Sequence, residues 1–279
     1  MDKRGKRSRR VEVLLGLGVL LLAGCLHPVE EGEAVASDWR LVWSDEFDYS
    51  GLPDPEKWTC AVGGHGWGNE ELQYYTENRL ENARVEAGHL VITARREEWE
   101  GNRYTSARVI SRGRGDFLHG RFEIRAKLPG ARGTWPAIWM MPSDWEFGQG
   151  GWPDIGEIDI VEHVGTEPGV IHASAHSRDY QWQKGTQKTG TIRVETATTA
   201  FHTYSLEWTG DYLRAFVDDV LFFEYENEGL GWTKWPYNKP FYLIMNIAVG
   251  GAWGGMEGVA EAAFPQELVI DYVRVYSRS

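Results

Sequence analysis

Three carboxylates fall within six residues in Gly156-Glu157-Ile158-Asp159-Ile160-Val161-Glu162-His163. In a regular strand, residues i and i+2 share a face. Glu157 and Asp159 therefore point one way, and Ile158 and Ile160 the other. The third acid comes one residue late: Val161 stands where the alternation asks for it, and Glu162 follows. A β-bulge around Ile160–Val161 would reset the alternation, bring all three acids to one face and bend the strand so that Glu162 tilts toward Glu157. Carboxylates crowded in this way repel, so at least one keeps its proton near neutral pH. An ionised acid beside a protonated one is what a retaining glycosidase uses as nucleophile and acid/base. Glu157 and Glu162 would be that pair, with Asp159 tuning and orienting between them. Five residues of strand span roughly 13–16 Å, whereas retaining pairs stand about 5–5.5 Å apart. The bend and the long Glu side chains would have to close the difference. A metal site and a solvated acidic strand are the other two readings. A solvated strand does not account for the isoleucines and valine behind the acids, and a calcium site usually draws its ligands from a loop.

The elements that must position these acids read as strands throughout. Segments rich in Val, Ile, Thr and aromatic residues, many of them alternating, run over 41–47, 89–95, 104–111, 121–127, 137–141, 156–163, 170–177, 202–208, 212–217, 221–225, 241–246 and 268–276. Gly, Pro, Asn and Asp clusters separate them, such as Gly63-Gly64, Pro129-Gly130 and Asp218-Asp219. No long segment has a helical period, and no repeat is present. An all-β, two-sheet sandwich of antiparallel strands follows. The chain carries 14 Trp, several beside Gly or Pro: Trp67, Trp135, Trp152 and Trp253. Flat apolar rings with an N–H handle suit sugars, which present a C–H face and a rim of hydroxyls.

The N-terminus reads as an export signal. Basic residues from Lys3 to Arg10 precede a short apolar run, Val13 to Gly24, too short to span a bilayer comfortably. It ends in Leu22-Ala23-Gly24-Cys25, which resembles a bacterial lipobox. Residues 1–24 are thus expected to be a lipoprotein signal peptide, and residues 25–37 the lipidated Cys25 and a tether. Residues 38–279 would be the catalytic domain. The chain would be exported and anchored to a bacterial membrane or cell surface. Leu26 after the Cys favours the outer membrane. Losing residues 1–24, with six basic and two acidic side chains, takes a net charge of −12 to −16. So acidic a body repels phosphates and excludes nucleic acid as a partner. With Cys25 lipidated, Cys60 is left alone and no disulfide framework exists. Cys60 is expected to pack near a surface loop at Trp58.

The acidic segment looks like the bulged Glu-x-Asp-x-x-Glu signature of glycoside hydrolase family 16. Its flanks resemble the bacterial laminarinase, or endo-β-1,3-glucanase, branch. These are Trp43-Ser44-Asp45-Glu46-Phe47, Gly66 to Tyr75 (GWGNEELQYY), Gly133 to Met140 (GTWPAIWM), Trp152-Pro153 and Asn246 to Gly255 (NIAVGGAWGG). The resemblance runs from about residue 38 to 277. It implies a β-jelly-roll sandwich with a substrate groove across a concave sheet, and endo-acting, retaining hydrolysis of neutral β-1,3-glucan, extending to mixed β-1,3/1,4-glucan. It makes Glu157 the nucleophile, Glu162 the acid/base and Asp159 the helper. Asn69, Arg108, Trp135, Trp139, His176, Asn246 and Trp253 would bind substrate. No cofactor is needed for catalysis, and a monomer is expected. The resemblance also implies a structural calcium held by Glu46, the carbonyl of Gly88 and Asp271. An agarase-like specificity, or a sugar-binding module without catalysis, would share the sandwich and the tryptophans. Retention of both Glu157 and Glu162 argues against the second.

Overall fold

The computed structural model describes residues 38–278, and Cys25, the signal and the tether lie outside them. Among the described residues the strands are β1 (Trp39–Asp45), β2 (Thr59–Cys60), β3 (Gln73–Tyr75), β4 (Ala83–Glu86), β5 (His89–Trp99), β6 (Asn102–Ser106), β7 (Arg108–Ile110), β8 (Asp116–Phe117) and β9 (Gly120–Lys127). They continue as β10 (Thr134–Pro142), β11 (Glu157–Glu162), β12 (Val170–His176), β13 (Lys188–Arg193), β14 (His202–Trp208), β15 (Tyr212–Val217), β16 (Val220–Glu226), β17 (Phe241–Val249) and β18 (Gln266–Arg278). Two single-turn 3-10 helices, Trp182–Lys184 and Glu261–Ala263, are the only helical pieces among the described residues.

The strands form two sheets of a jelly-roll sandwich. One runs β16-β15-β14-β9-β18-β5-β6-β3, with β1 on β18 and β4 on β5. The other runs β13-β12-β11-β10-β17-β7-β2, with β8 on β17. Every pairing is antiparallel except β3 with β6. The apolar sides of both sheets meet in one core: Leu90, Ile92, Phe122, Ile124, Leu206 and Val273 from the first, and Ile138, Met140, Ile158, Ile171, Leu243 and Met245 from the second. β9 shows how the sequence produces this. Phe122, Ile124 and Ala126 are buried, while Arg121, Glu123, Arg125 and Lys127 alternate with them on the outer side. There Arg121 pairs with Glu123 and Glu207, each at 2.8 Å.

Three expectations are corrected. The segment 104–111 is two strands, β6 and β7, which belong to different sheets. Alternation reports which side of a sheet a residue faces, not which sheet it has joined. The short strands β2, β3, β4 and β8, and β13 with its Lys, Thr, Gly and Arg, carry too little apolar signal to stand out; pairing with neighbours makes them strands. Trp58 belongs to the core rather than to a surface loop. It is 2% exposed and its indole N–H donates to Asp45 at 2.8 Å. Cys60 is a partly buried free thiol two residues along, and burial raises its pKa.

The acidic strand β11 is interior, between β10 and β12. Its register with β10 pairs Ile138 with Val161 but Trp139 with Asp159, leaving Ile160 without a counterpart. The register with β12 shifts at the same place, between Asp159 and Glu162. Ile158, Ile160 and Val161 are all within 1% of full burial in the core. Two consecutive inward residues are thus the physical content of the bulge. Ile160→Ala should cost about 2–4 kcal/mol of stability, as large-to-small core changes do. Leu221→Ala, at a side chain 46% exposed, should stay within about 0.5 kcal/mol. Urea midpoints check both, and an unmoved midpoint for Ile160→Ala would mean the extra residue is not seated in the core.

Candidate active site

The bulge turns Glu157, Asp159 and Glu162 to the outer face of the second sheet, opposite the core side chains. Directly opposed residues share a face, so the pairings define rows across the sheet. One row runs Arg108 (β7), Asn246 (β17), Ala137 (β10), Glu162 (β11) and His172 (β12). The next runs Ile110, Ile244, Trp139, Asp159 and Ser174. His176 stands opposite Glu157. Ala137 is the small residue in the first row, flanked two positions away on its own strand by Trp135 and Trp139.

The contacts tie acids to neighbours one by one. His176 Nε2 is 3.2 Å from Asp159 Oδ2 and 3.9 Å from Glu157 Oε1. The indole N–H of Trp135 donates to Glu162 Oε1 at 3.0 Å. The indole N–H of Trp139 donates to Asn246 Oδ1 at 2.7 Å. Arg108 lies between two indoles, its guanidinium carbon 4.6 Å from the ring centres of both Trp67 and Trp139. Trp253 meets Trp135 edge-on at 5.5 Å and His172 edge-on at 4.8 Å, forming a wall at the Glu162 end. At the other end, the Trp152 ring lies 5.9 Å from that of His176.

Asp159 is 3% exposed, and Glu157 and Glu162 are partly exposed. All three carboxyls are pushed up to about 8. Enclosure is the first cause for each, and the charge of Asp159 adds to it for Glu157 and Glu162. The charges of His176 and Arg108 act the other way on Glu157. The cluster therefore holds protons at neutral pH and releases them as a coupled set. Glu157, Asp159 and His176 offer ligand atoms within 4.8 Å of one another, which could hold a metal ion. The chemistry that suits the cluster is proton transfer next to a carboxylate nucleophile.

The structure brings together every residue expected at the acids and on the substrate face. Asn69 joins them through its side-chain N–H, which donates to Glu71 at 3.2 Å. Glu46, Gly88 and Asp271 lie elsewhere, on or beside the other sheet. Glu46 accepts from Arg274 Nε at 2.9 Å and Nη2 at 2.8 Å, and Asp271 pairs with Arg125. Trp67 and Trp152, expected among the sugar-facing rings, stand here, and so do residues without a predicted role: Glu71, Gln73, Tyr75 and His172. One signal could have found three of them. Glu71, Gln73 and Tyr75 are spaced by two, so an extended chain puts them on one face, and all three are buried.

The comparisons with known proteins agree with this geometry. The family model "Glycosyl hydrolases family 16" matches residues 70–274. The chain is similar to a β-glucanase of Rhodothermus marinus, 56% identical over 279 residues, covering 98% of this chain and 96% of that one. It is similar to a glucan endo-1,3-β-glucosidase of Cryptopygus antarcticus, 41% identical over 234 residues, covering 78% and 83%. Among solved structures, the laminarinase from Rhodothermus marinus superposes with a TM-score of 0.85 at 59% identity, covering 86% of this chain and 98% of that one. With a family match over most of its length and relatives at this identity, the chain belongs to glycosyl hydrolase family 16.

Proposed function

We propose that the chain cuts internal bonds of a neutral β-1,3-glucan of the laminarin type, with net retention, through Glu157, Asp159 and Glu162. The observation that carries the reading is the bulged register of β11, which sets three enclosed carboxyls on one face between Trp139 of β10 and His172 and His176 of β12. The relatives named above bear glucanase names, which point to the same substrate class.

In this reading Glu162 gives its proton to the leaving glycosidic oxygen while Glu157 attacks the anomeric carbon. The carbon–oxygen bond to the leaving sugar breaks, and a glycosyl ester of Glu157 forms with inverted configuration. Glu162 then takes a proton from water, which attacks the same carbon, expels Glu157 and restores the original configuration. The route needs no cofactor. Burial and the charge of Asp159 raise Glu157 to about 8, and the charges of His176 and Arg108 oppose that rise and favour the ionised form that attacks. Glu162 is raised to about 8 just as Glu157 is, so its assignment as the acid rests on the resemblance of the segment; the Trp135 indole that donates to one of its oxygens favours the ionised form it takes after giving up the proton. Asp159, 3.2 Å from His176, tunes the pair: its charge raises both Glu157 and Glu162.

Two further parts are proposed with it. Residues 1–24 act as a lipoprotein signal and Cys25 carries lipid, which anchors the domain to a bacterial membrane through residues 26–37; the support is the Leu-Ala-Gly-Cys ending of the apolar run. Calcium binds at Glu46, the Gly88 carbonyl and Asp271. An all-oxygen donor set suits that ion, and binding would have to displace Arg274 from Glu46 and Arg125 from Asp271.

Digests of laminarin, mixed-linkage glucan and agarose, with products sized and the first anomer read by NMR, test the function. Short β-anomers from laminarin are expected; cleavage of agarose alone, or no new reducing ends, would sink it. Glu157→Gln and Glu162→Gln should each lower kcat on laminarin by about 10²–10⁴-fold or more, the scale of general acid and nucleophile losses. The same variants bear on stability. A carboxyl raised in the fold binds its proton more tightly folded than unfolded, so its stabilisation is complete below about 4.5 and is lost as pH rises through about 8. The melting temperature should therefore fall across that window, and fall less in Glu157→Gln. Calcium should raise the melting temperature and a chelator lower it; no response would leave the arginines as the permanent partners of Glu46 and Asp271. Cys25→Ser should shift the protein from the membrane fraction to the soluble one, and unchanged partition would refute the lipid anchor.

A further inference from the structure

A buried carboxylate that the hydrolysis scheme does not use lies under the substrate face, on the far side of β10 from the acids. Glu71 is 9% exposed, and three side-chain donors converge on it. Asn69 Nδ2 reaches one oxygen at 3.2 Å, while Gln73 Nε2 at 2.6 Å and the Tyr75 hydroxyl at 3.3 Å reach the other. The network continues outward. Asn246 Nδ2 donates to the Tyr75 oxygen at 3.0 Å, and Asn246 Oδ1 accepts from the Trp139 indole at 2.7 Å. Gln73 Oε1 accepts from the backbone N–H of Val249 at 2.7 Å. The backbone around Glu71 is joined to the segment leading to Trp253, through Leu72 N–H to the Val249 carbonyl at 2.8 Å and Ala252 N–H to the Asn69 carbonyl at 2.7 Å.

The chemistry of a carboxylate explains why this position matters. An ionised carboxylate only accepts hydrogen bonds, so every amide that meets it must present its NH2. Glu71 thereby decides which way two amides face. Gln73 is left with its oxygen for Val249, and Asn69 with its oxygen for a hydroxyl donor. Through Tyr75 and Asn246 the same carboxylate sets the tilt of Trp139, one of the two rings that hold Arg108. Burial raises the Glu71 carboxyl above its usual range, while the donors Gln73, Asn69 and Tyr75 and the charge of Arg108 act the other way and favour the carboxylate that this geometry calls for. A carboxylate kept on such terms orders polar groups that an apolar residue could not order.

We propose that Glu71 is a positioning residue for the sugar-binding face. By accepting from Asn69, Gln73 and Tyr75, it presents the Asn69 carbonyl and the Trp139 ring, which stands opposite Asp159, to the glucan. It acts on glucan binding rather than on bond breaking. The inference rests on the glucanase reading for the identity of its ligand.

The test is a double-mutant cycle on the full chain, in a Glu157→Gln background that slows turnover. Calorimetry gives the Kd of a β-1,3-linked glucose hexasaccharide. Glu71→Gln keeps the shape but sets an N–H against one of the donors, and should weaken binding about tenfold, the scale of a charge-assisted hydrogen bond. Asn69→Ala should weaken it by a similar factor. The double variant should bind within about twofold of the weaker single variant, because the two share one interaction. In the active background, Glu71→Gln should raise KM with kcat within about twofold, the pattern of lost uniform binding. Losses that multiply in the double variant, or a lowered melting temperature with Kd unchanged, would overturn the proposal. If Glu71→Gln does not fold, Tyr75→Phe removes only the hydroxyl that links Glu71 to Asn246; a Kd several-fold weaker is expected, and an unchanged one overturns the proposal. A Glu157→Gln parent that binds no hexasaccharide, with a wild type that cuts no laminarin, would instead remove the glucanase reading on which this rests.

Discussion

One extra residue in one strand is the constraint on which the site depends. With strict alternation, Glu162 would face the core and Val161 the solvent. Ile160 and Val161 instead enter the core in succession, and the acid that follows is turned out beside the other two. The apolar side of the bulge is held by the packing of both sheets. The polar side therefore needs no loop to support it. Like charges can be crowded there because the backbone is fixed by β10 and β12 on either side. Enclosure, with the charge of Asp159 added for the two glutamic acids, appears as retained protons.

The surroundings divide the work by strand. β12 supplies His176 and His172 on one flank, and β10 supplies the indoles and the small Ala137 between them. On the far flank, β7 and β17 supply Arg108 and Asn246, the first held between Trp67 and Trp139 and the second by Tyr75. That flank is held by amides and rings arranged around a buried carboxylate, so its polar groups have fixed directions before any ligand arrives. A neutral polymer of hydroxyls is recognised by donors and acceptors of fixed direction and by flat ring faces, not by net charge. This agrees with a strongly acidic chain whose substrate-facing cation, Arg108, is sandwiched between two rings.

The sandwich was legible because its strands alternate, as β9 does from Gly120 to Lys127. The late acid at Glu162 was legible as a break in that alternation, and a bulge is the ordinary backbone answer to such a break. The division of 104–111 between two sheets was not legible, since inward and outward positions look alike in either sheet. Trp58 read as a loop residue because Gly, Pro and Asp lie near it in sequence, yet it fills the core. Most of the tryptophans set aside for sugar do line the outer face. Trp208 and Trp235 carry the same residue type and are buried, so type alone could not separate the two uses.

The sequence by itself narrowed the chemistry of the three acids to paired-carboxylate catalysis or a metal site, and the resemblance of the segment to a family signature pointed to the first. It also determined the all-β architecture, through period-two patterning. Only the tertiary structure decided which strands became neighbours. That choice placed His176 opposite Glu157, set Asn246 beside Ala137 and brought Glu71 under the substrate face. These contacts join residues up to 171 positions apart, as between Tyr75 and Asn246. Local patterning tells each residue which way to face. Meeting a particular partner requires that whole sheets close on one core, and no short stretch of sequence carries that information.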